Sequence, residues 1–258
     1  MLTEAQVLQF KTFGYLLLKG LFSPSEVKEI TEMSDAILAD DRQGLPFANE
    51  KRQTVYGCVE KHPKLINLLE DDRVYRTVEQ VLGEHFVTLG SETCLYVGDT
   101  NWHPDWHLKC PKVKFALYLD PVDKDSGCLR VLPGSHLPEF HDMLHPGLLQ
   151  KQLGLDPINV PSVPLESEPG DVVMFNMRVF HSSFKGKPGR RMLAMNFSAN
   201  PETPEDVEAY RNNYASVLEL VKQLSSTPAT RVFDDSYLHS EKPRLKSMNA
   251  KLVEYNLL

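Results

Sequence analysis

Between about Phe86 and Phe197 the chain is broken every few residues by turn signals, and this spacing constrains the fold more than any other feature. Val113–Leu119 reads as a strand. Asp123-Lys124-Asp125-Ser126-Gly127 is a turn, and Cys128–Leu132 is a second strand. Pro133-Gly134-Ser135-His136 breaks it. Pro169-Gly170-Asp171 then turns the chain into Val172–Phe175, and Arg191–Phe197 closes the series. Many short strands with no helices between them favour an antiparallel barrel or a double-sheet jelly roll. The flanks differ. Thr3-x-x-Gln6 has the form of a capping box, Gly14–Leu18 reads as a strand, and Ser23-Pro24 opens a helix carrying Val27, Ile30, Met33 and Ile37. A further helical pattern covers about Val74 to Leu82 and stops at Gly83. Helical spacing returns after Thr203 with Val207, Tyr210, Tyr214, Val217, Leu218 and Val221. No repeat or low-complexity linker divides the 258 residues, which suffice for one substantial core. The expectation is one domain over 1–258: helical support to about 85, a barrel core over about 86–200, and a helical extension from about 201.

Inside the strand region lies Trp102-His103-Pro104-Asp105-Trp106-His107, with His181 much further on. Two imidazoles and one carboxylate are the ligand set of the facial triad in non-haem Fe(II) oxygenases. Residues two apart on a strand point to the same side, so His103 and Asp105 can reach one metal ion while His181 comes from another strand. Three ligands on one face leave the opposite face open for a co-substrate and O2. His107 could compete as a ligand, but a pocket-lining or substrate-binding place suits it better. His136 is the main rival to His181 and reads as a turn element. His141 and His145 read as exposed loop residues, and His62, His85 and His239 lack a suggestive context. Cys58, Cys94, Cys110 and Cys128 show no C-x-x-C spacing and read as free thiols in a reducing compartment. Cys94 and Cys110 flank the metal strand, yet small buried hydrophobes are the better reading of both.

The remaining features bound the partners. A formal charge of −7 argues against nucleic acid. No apolar run is long enough for a bilayer, and Met1–Gln6 lacks the basic start and apolar core of a signal peptide, so a cytoplasmic protein with a small-molecule substrate is expected. Oligomeric state stays open. Lys114 shares a strand face with Ala116 and Tyr118. If that face points inward, Lys114 and Tyr118 touch co-substrate or substrate, although a solvent-facing lysine is the expected case. Lys109, Lys112 and Lys114 together could draw in an anionic substrate, or be a plain solvated cluster. Trp102 and Trp106 wall the pocket or pack in the core. The segment from about Asp40 to Cys58, with Arg42, Lys51 and Arg52, is a candidate mobile lid, and the helical tail a candidate pocket cover or dimer contact.

Four motifs in order carry a resemblance over roughly residues 1–200. They are Phe13-Gly14-Tyr15-Leu16 before the Ser23-Pro24 helix, His103-Pro104-Asp105, Ser126–His136, and Pro169–Phe175 leading to His181. Together they resemble the phytanoyl-CoA dioxygenase family of Fe(II)/2-oxoglutarate oxygenases. The resemblance implies a double-stranded β-helix (a jelly-roll, cupin-like barrel) and Fe(II) on His103, Asp105 and His181. It also implies 2-oxoglutarate and O2 as co-substrates, and hydroxylation of an unactivated C–H bond with release of succinate and CO2. A guanidinium fork suits the far carboxylate of 2-oxoglutarate. Counting back from Asn196-Phe197-Ser198 in the family's register places Arg190 there, with Arg191 the alternative, and Ser183 aligns with a serine that bonds the same carboxylate. Related halogenases replace the acidic ligand with a small residue, so the retained Asp105 favours oxygen insertion. Another metal-dependent cupin-like enzyme, or a binding module on the same barrel, are the alternative functions.

Overall fold

The structure, a computed structural model, describes residues 1–106, 110–144, 151–152, 154–224 and 231–257. Its centre is two antiparallel sheets. The larger has the order β1 (Tyr15–Leu18), β8 (Val172–Asn176), β5 (Lys112–Tyr118), β10 (Arg190–Ser198), β3 (Val87–Tyr96) and β2 (Gln53–Tyr56). The smaller has the order β4 (Thr100–His103), β9 (His181–Ser183), β6 (Leu129–Val131) and β7 (Val163–Leu165). Apart from β2–β3 and β6–β7, neighbouring strands are not consecutive in sequence, as in the expected double-stranded β-helix.

The period-two alternation divides each central strand between two cores. Val113, Phe115 and Leu117 of β5, with Leu193, Met195 and Phe197 of β10, face the helices and join one large apolar cluster. Ala116, Tyr118, Met192 and Ala194 face the small sheet and pack with Leu129, Val131, Val173 and Phe175. A bulge at Asn196/Phe197 shifts the register of β3 against β10 by one residue, from Asn196↔Gly90 to Phe197↔Thr88.

The helical layer on the outer face forms where its signals lie. α1 (Glu4–Phe13) carries the Thr3/Gln6 capping box, and α2 (Pro24–Asp41) the Ser23/Glu26 box with Pro24 in the first turn. Gly14, at φ +83°, ends α1, and a Cβ there would collide with His136 and Val179. α3 (Cys58–Lys61), a 3-10 turn over Leu65–Glu70 and α4 (Asp72–Leu82) follow. α5 is Pro138–Met143. α6 (Pro204–Leu224), α7 (Asp235–Leu238) and α8 (Pro243–Glu254) form the tail. Tyr210, Tyr214, Phe233, Leu245 and Leu252 bury that tail in the helix-side core. No helix among the described residues is long and apolar enough to cross a membrane.

Three expectations fail here. His141 is buried, with its Nδ1 near the carbonyls of Ser135 (3.2 Å) and Arg178 (3.1 Å). Its helix folds back on the barrel, which an isolated polar residue does not disclose. Lys112 is 1% exposed, its Nζ 3.0 Å from the centroid of the Trp106 ring, and burial pushes its amine down to about 7. The solvated lysine cluster is therefore absent from the described residues. The segment over 40–58 supplies β2, paired with β3 from Gln53↔Leu95 to Tyr56↔Glu92, so its second half is sheet rather than lid. His145 and Lys109 lie outside the described residues.

Candidate active site

β4 and β9 pair so that His103 stands directly opposite His181. Ser135, from the Pro-Gly-Ser-His turn, accepts the Phe180 amide at 2.8 Å and so braces the start of β9. Asp105 follows β4 on a short stretch fixed by the Trp106 amide donating to Met177 at 3.0 Å. The ligand atoms of His103, Asp105 and His181 lie within 4.8 Å of one another. Asp105 Oδ1 is 3.6 Å from the Nε2 of both histidines. Each imidazole is fixed from behind: His103 Nδ1 sits 2.7 Å from the Asn101 carbonyl, and His181 Nδ1 sits 2.9 Å from that of Val179. A carbonyl can only accept, so both Nδ1 atoms carry hydrogen and both Nε2 lone pairs face the shared centre. Burial pushes His181 down to about 4, which keeps it neutral and able to ligate.

Lys114 points inward, contrary to the expectation that it faces solvent. Its Nζ lies 2.9 Å from Asp105 Oδ2 and 3.1 Å from Glu92 Oε1. Glu92 in turn takes Arg52 Nη2 at 2.9 Å, and the Arg52 guanidinium stacks 4.4 Å from the Tyr96 ring centroid. Burial disfavours every charge in this chain. For Asp105 the neighbouring Lys114 and histidines outweigh it and hold the carboxyl well below its usual range, while Asp105 and Glu92 hold Lys114 well above its own. Only the inner face of β5 could give Lys114 such surroundings, and strand alternation alone does not say which face is inner.

Arg190 and Arg191 diverge as neighbours on a strand must. Arg191 lies at the outer edge, paired with Asp120 and, at 2.9 Å, with Asp35. Arg190 is buried, donating from Nη2 to Ser183 Oγ at 3.1 Å, and Ser183 donates to the Gly127 carbonyl at 2.8 Å. Its Nε and Nη1 have no hydrogen-bond partner among the described residues. Gly127 and Gly186 hug the guanidinium so closely that a Cβ on either would collide with it. A buried guanidinium with N–H groups left unpartnered among the described residues suits an anion.

These groups line one cavity of about 600 Å³. Tyr118 is among them, and burial pushes its hydroxyl up to about 12. His107 lies outside the described residues. Arg52, Glu92, Tyr56 and Asn196 also line the cavity and carry no motif. Glu92 is the one charged residue of the strand Val87–Tyr96, and that was its only visible signal. The opposite wall is a face of α6, with Ala209, Asn212, Asn213, Ser216, Val217 and Leu220 at helical spacing. The tail thus covers the pocket, one of the two places foreseen for it.

A family model of phytanoyl-CoA dioxygenase (PhyH) matches residues 10–192. Among curated proteins, the chain is 23% identical over 202 residues to the multifunctional dioxygenase prhA of Penicillium brasilianum, covering 67% of this chain and 64% of that protein. The chain thus spans just under two thirds of that relative's length. It is 22% identical over 218 residues to the 2-aminoethylphosphonate dioxygenase of the uncultured bacterium HF130_AEPn_1, covering 77% of this chain and 81% of that protein. Among solved structures, HygX from Streptomyces hygroscopicus, crystallised with nickel and 2-oxoglutarate, superposes with a TM-score of 0.59 at 19% identity, covering 77% of this chain and 87% of that one. With its family match running from the first helix through the distal histidine to the buried arginine, this chain belongs to the phytanoyl-CoA dioxygenase family.

Proposed function

We propose that this protein is an Fe(II)- and 2-oxoglutarate-dependent oxygenase that hydroxylates a C–H bond of a small molecule. The observation that carries the reading is the pairing of an open three-ligand face with a buried, half-satisfied guanidinium in the same cavity. His103, Asp105 and His181 would hold the iron. Arg190 and Ser183 would hold the far carboxylate of 2-oxoglutarate, an acceptor for a buried guanidinium whose donors are only partly used. The bound iron, with 2-oxoglutarate and O2, supplies the oxidising chemistry and releases succinate and CO2. The chain's own work is positional. Backbone carbonyls lock both imidazoles in one tautomer, Arg190 aligns the keto-diacid, and α6 lines one side of the cavity.

The substrate is a small molecule sized to the cavity, in contact with Tyr118 and the α6 face. An anionic substrate no longer has the lysine stretch as its warrant, because Lys112 is buried under Trp106 and Lys114 is held by two carboxylates. The retained Asp105 carboxylate favours hydroxylation over halogenation, since no ligand position is vacated for a halide.

The test is a metabolite screen with Fe(II), ascorbate and 2-oxoglutarate, read by substrate-dependent succinate release. His103→Ala and Asp105→Ala should abolish that release. Full activity in either variant would refute the assignment.

A further inference from the structure

The two oxygens of Asp105 face different partners. Oδ1 looks toward the two imidazoles, 3.6 Å from each Nε2, while Oδ2 is 2.9 Å from the Lys114 ammonium. Lys114 is itself fixed. Its stem rises from β5, in the middle of the large sheet, and its Nζ also meets Glu92 Oε1 at 3.1 Å. Glu92 is fixed in turn by Arg52, whose Nε donates to Thr54 Oγ1 at 2.8 Å. A chain of alternating charges thus runs from the large sheet to the one ligand that lies beyond the end of a strand.

We propose that Lys114, anchored by Glu92 and Arg52, is a positioning residue that commits Asp105 to bind the metal through Oδ1 alone. The inference rests on the metal-site reading above and deepens it. A free carboxylate can chelate a cation with both oxygens. An ammonium on Oδ2 removes that option through a charge-assisted contact and leaves a coordination position open for co-substrate. Lysine suits the task because it is a compact point charge and can satisfy two carboxylates at once. The same contacts explain why an ammonium is tolerated beside a cation site: Glu92 on its far side offsets the charge. This role differs from the substrate contact that the strand face of Lys114 suggested, since its ammonium already serves two carboxylates.

Replacing Lys114 alone leaves Glu92 and Asp105 without their shared cation, so the decisive variant is the double change Lys114→Met with Glu92→Gln. Its fold is checked by thermal unfolding without metal. Co(II) is the probe. Affinity is measured by calorimetry, and the separation of the antisymmetric and symmetric carboxylate stretches is read in the metal-bound minus metal-free infrared spectrum. The expected result is a narrower stretch separation as Asp105 turns bidentate, with Co(II) still bound. A purely structural role would lower the unfolding temperature but leave the separation unchanged. An unchanged separation in the Co(II)-bound double variant would overturn the proposal. Asp105→Ala is the separate control. If it binds Co(II) as well as wild type, the metal-site reading itself fails and this inference falls with it.

Discussion

At the scale of single residues, the two adjacent arginines give the sharpest contrast. Arg190 is buried in the cavity wall with two N–H groups unpartnered among the described residues, whereas Arg191 spends its donors on Asp120 and Asp35. Arg190→Gln should weaken 2-oxoglutarate binding by about 2–3 kcal/mol, the scale of a lost hydrogen bond to a charged group. That is roughly a 30- to 150-fold rise in Kd. Arg191→Gln should change it less than threefold. Calorimetric titration of both metal-loaded variants decides the matter, and equal losses would sink the distinction. The sequence named both arginines and the three candidate ligands because spacing and family register mark them. It missed the inward turn of Lys114 because strand alternation fixes which residues share a face but not which face is buried. It missed His141 for a related reason: its burial depends on α5 folding back against the backbone at Ser135 and Arg178.

At the scale of elements, local signals were the most legible. The Thr3/Gln6 capping box forms as read, and Ser23, read as a helix start, completes a second box with Glu26, because each satisfies backbone donors within a four-residue window. The Ser23 box has a consequence for pH. Hydrogen bonds from Arg73 and from Ser23 lower the Glu26 carboxyl to about 2. A group with a depressed folded pKa adds stability above its unfolded value, near 4.5, and loses it as pH falls toward 2. Glu26 is partly exposed, so its contribution is about 1 kcal/mol after solvent screening. Glu26→Gln should therefore lower stability at pH 7 by that amount and leave it nearly unchanged at pH 2. Urea unfolding at both values checks this, and an equal deficit at both would contradict it. α6 carries a different expectation. Its amphipathic pattern was readable, but the family match stops at residue 192, so nothing local placed Asn212 and Asn213 against the cavity. Alanine at both positions should alter KM for whichever substrate the succinate screen yields while sparing 2-oxoglutarate affinity. A KM equal to wild type would remove α6 from substrate recognition.

At the scale of the whole molecule, the fold class followed from turn spacing and the meeting of the three candidate ligands from their motifs, whereas the side chains that support and wall that centre did not. The ligands come from β4, the stretch after it and β9. Their support comes from β5, β3 and β2, and the lid wall from a helix beyond the barrel. A metal held only by the folded arrangement must stabilise that arrangement. At a concentration a hundred times its Kd it should add about 2.7 kcal/mol, which raises Tm by roughly 5–10 °C for a chain of this size. His181→Ala should show almost none of this gain in a thermal scan with Co(II), and an undiminished gain would place the metal elsewhere.

The most direct measurement is an anaerobic crystal structure with Fe(II) and 2-oxoglutarate, using anomalous scattering to locate the iron. The expected result is one iron about 2.0–2.2 Å from His103 Nε2, His181 Nε2 and Asp105 Oδ1, with the far carboxylate of 2-oxoglutarate on Arg190. Iron bound away from these three side chains, or the keto-diacid seated on Arg191, would contradict it.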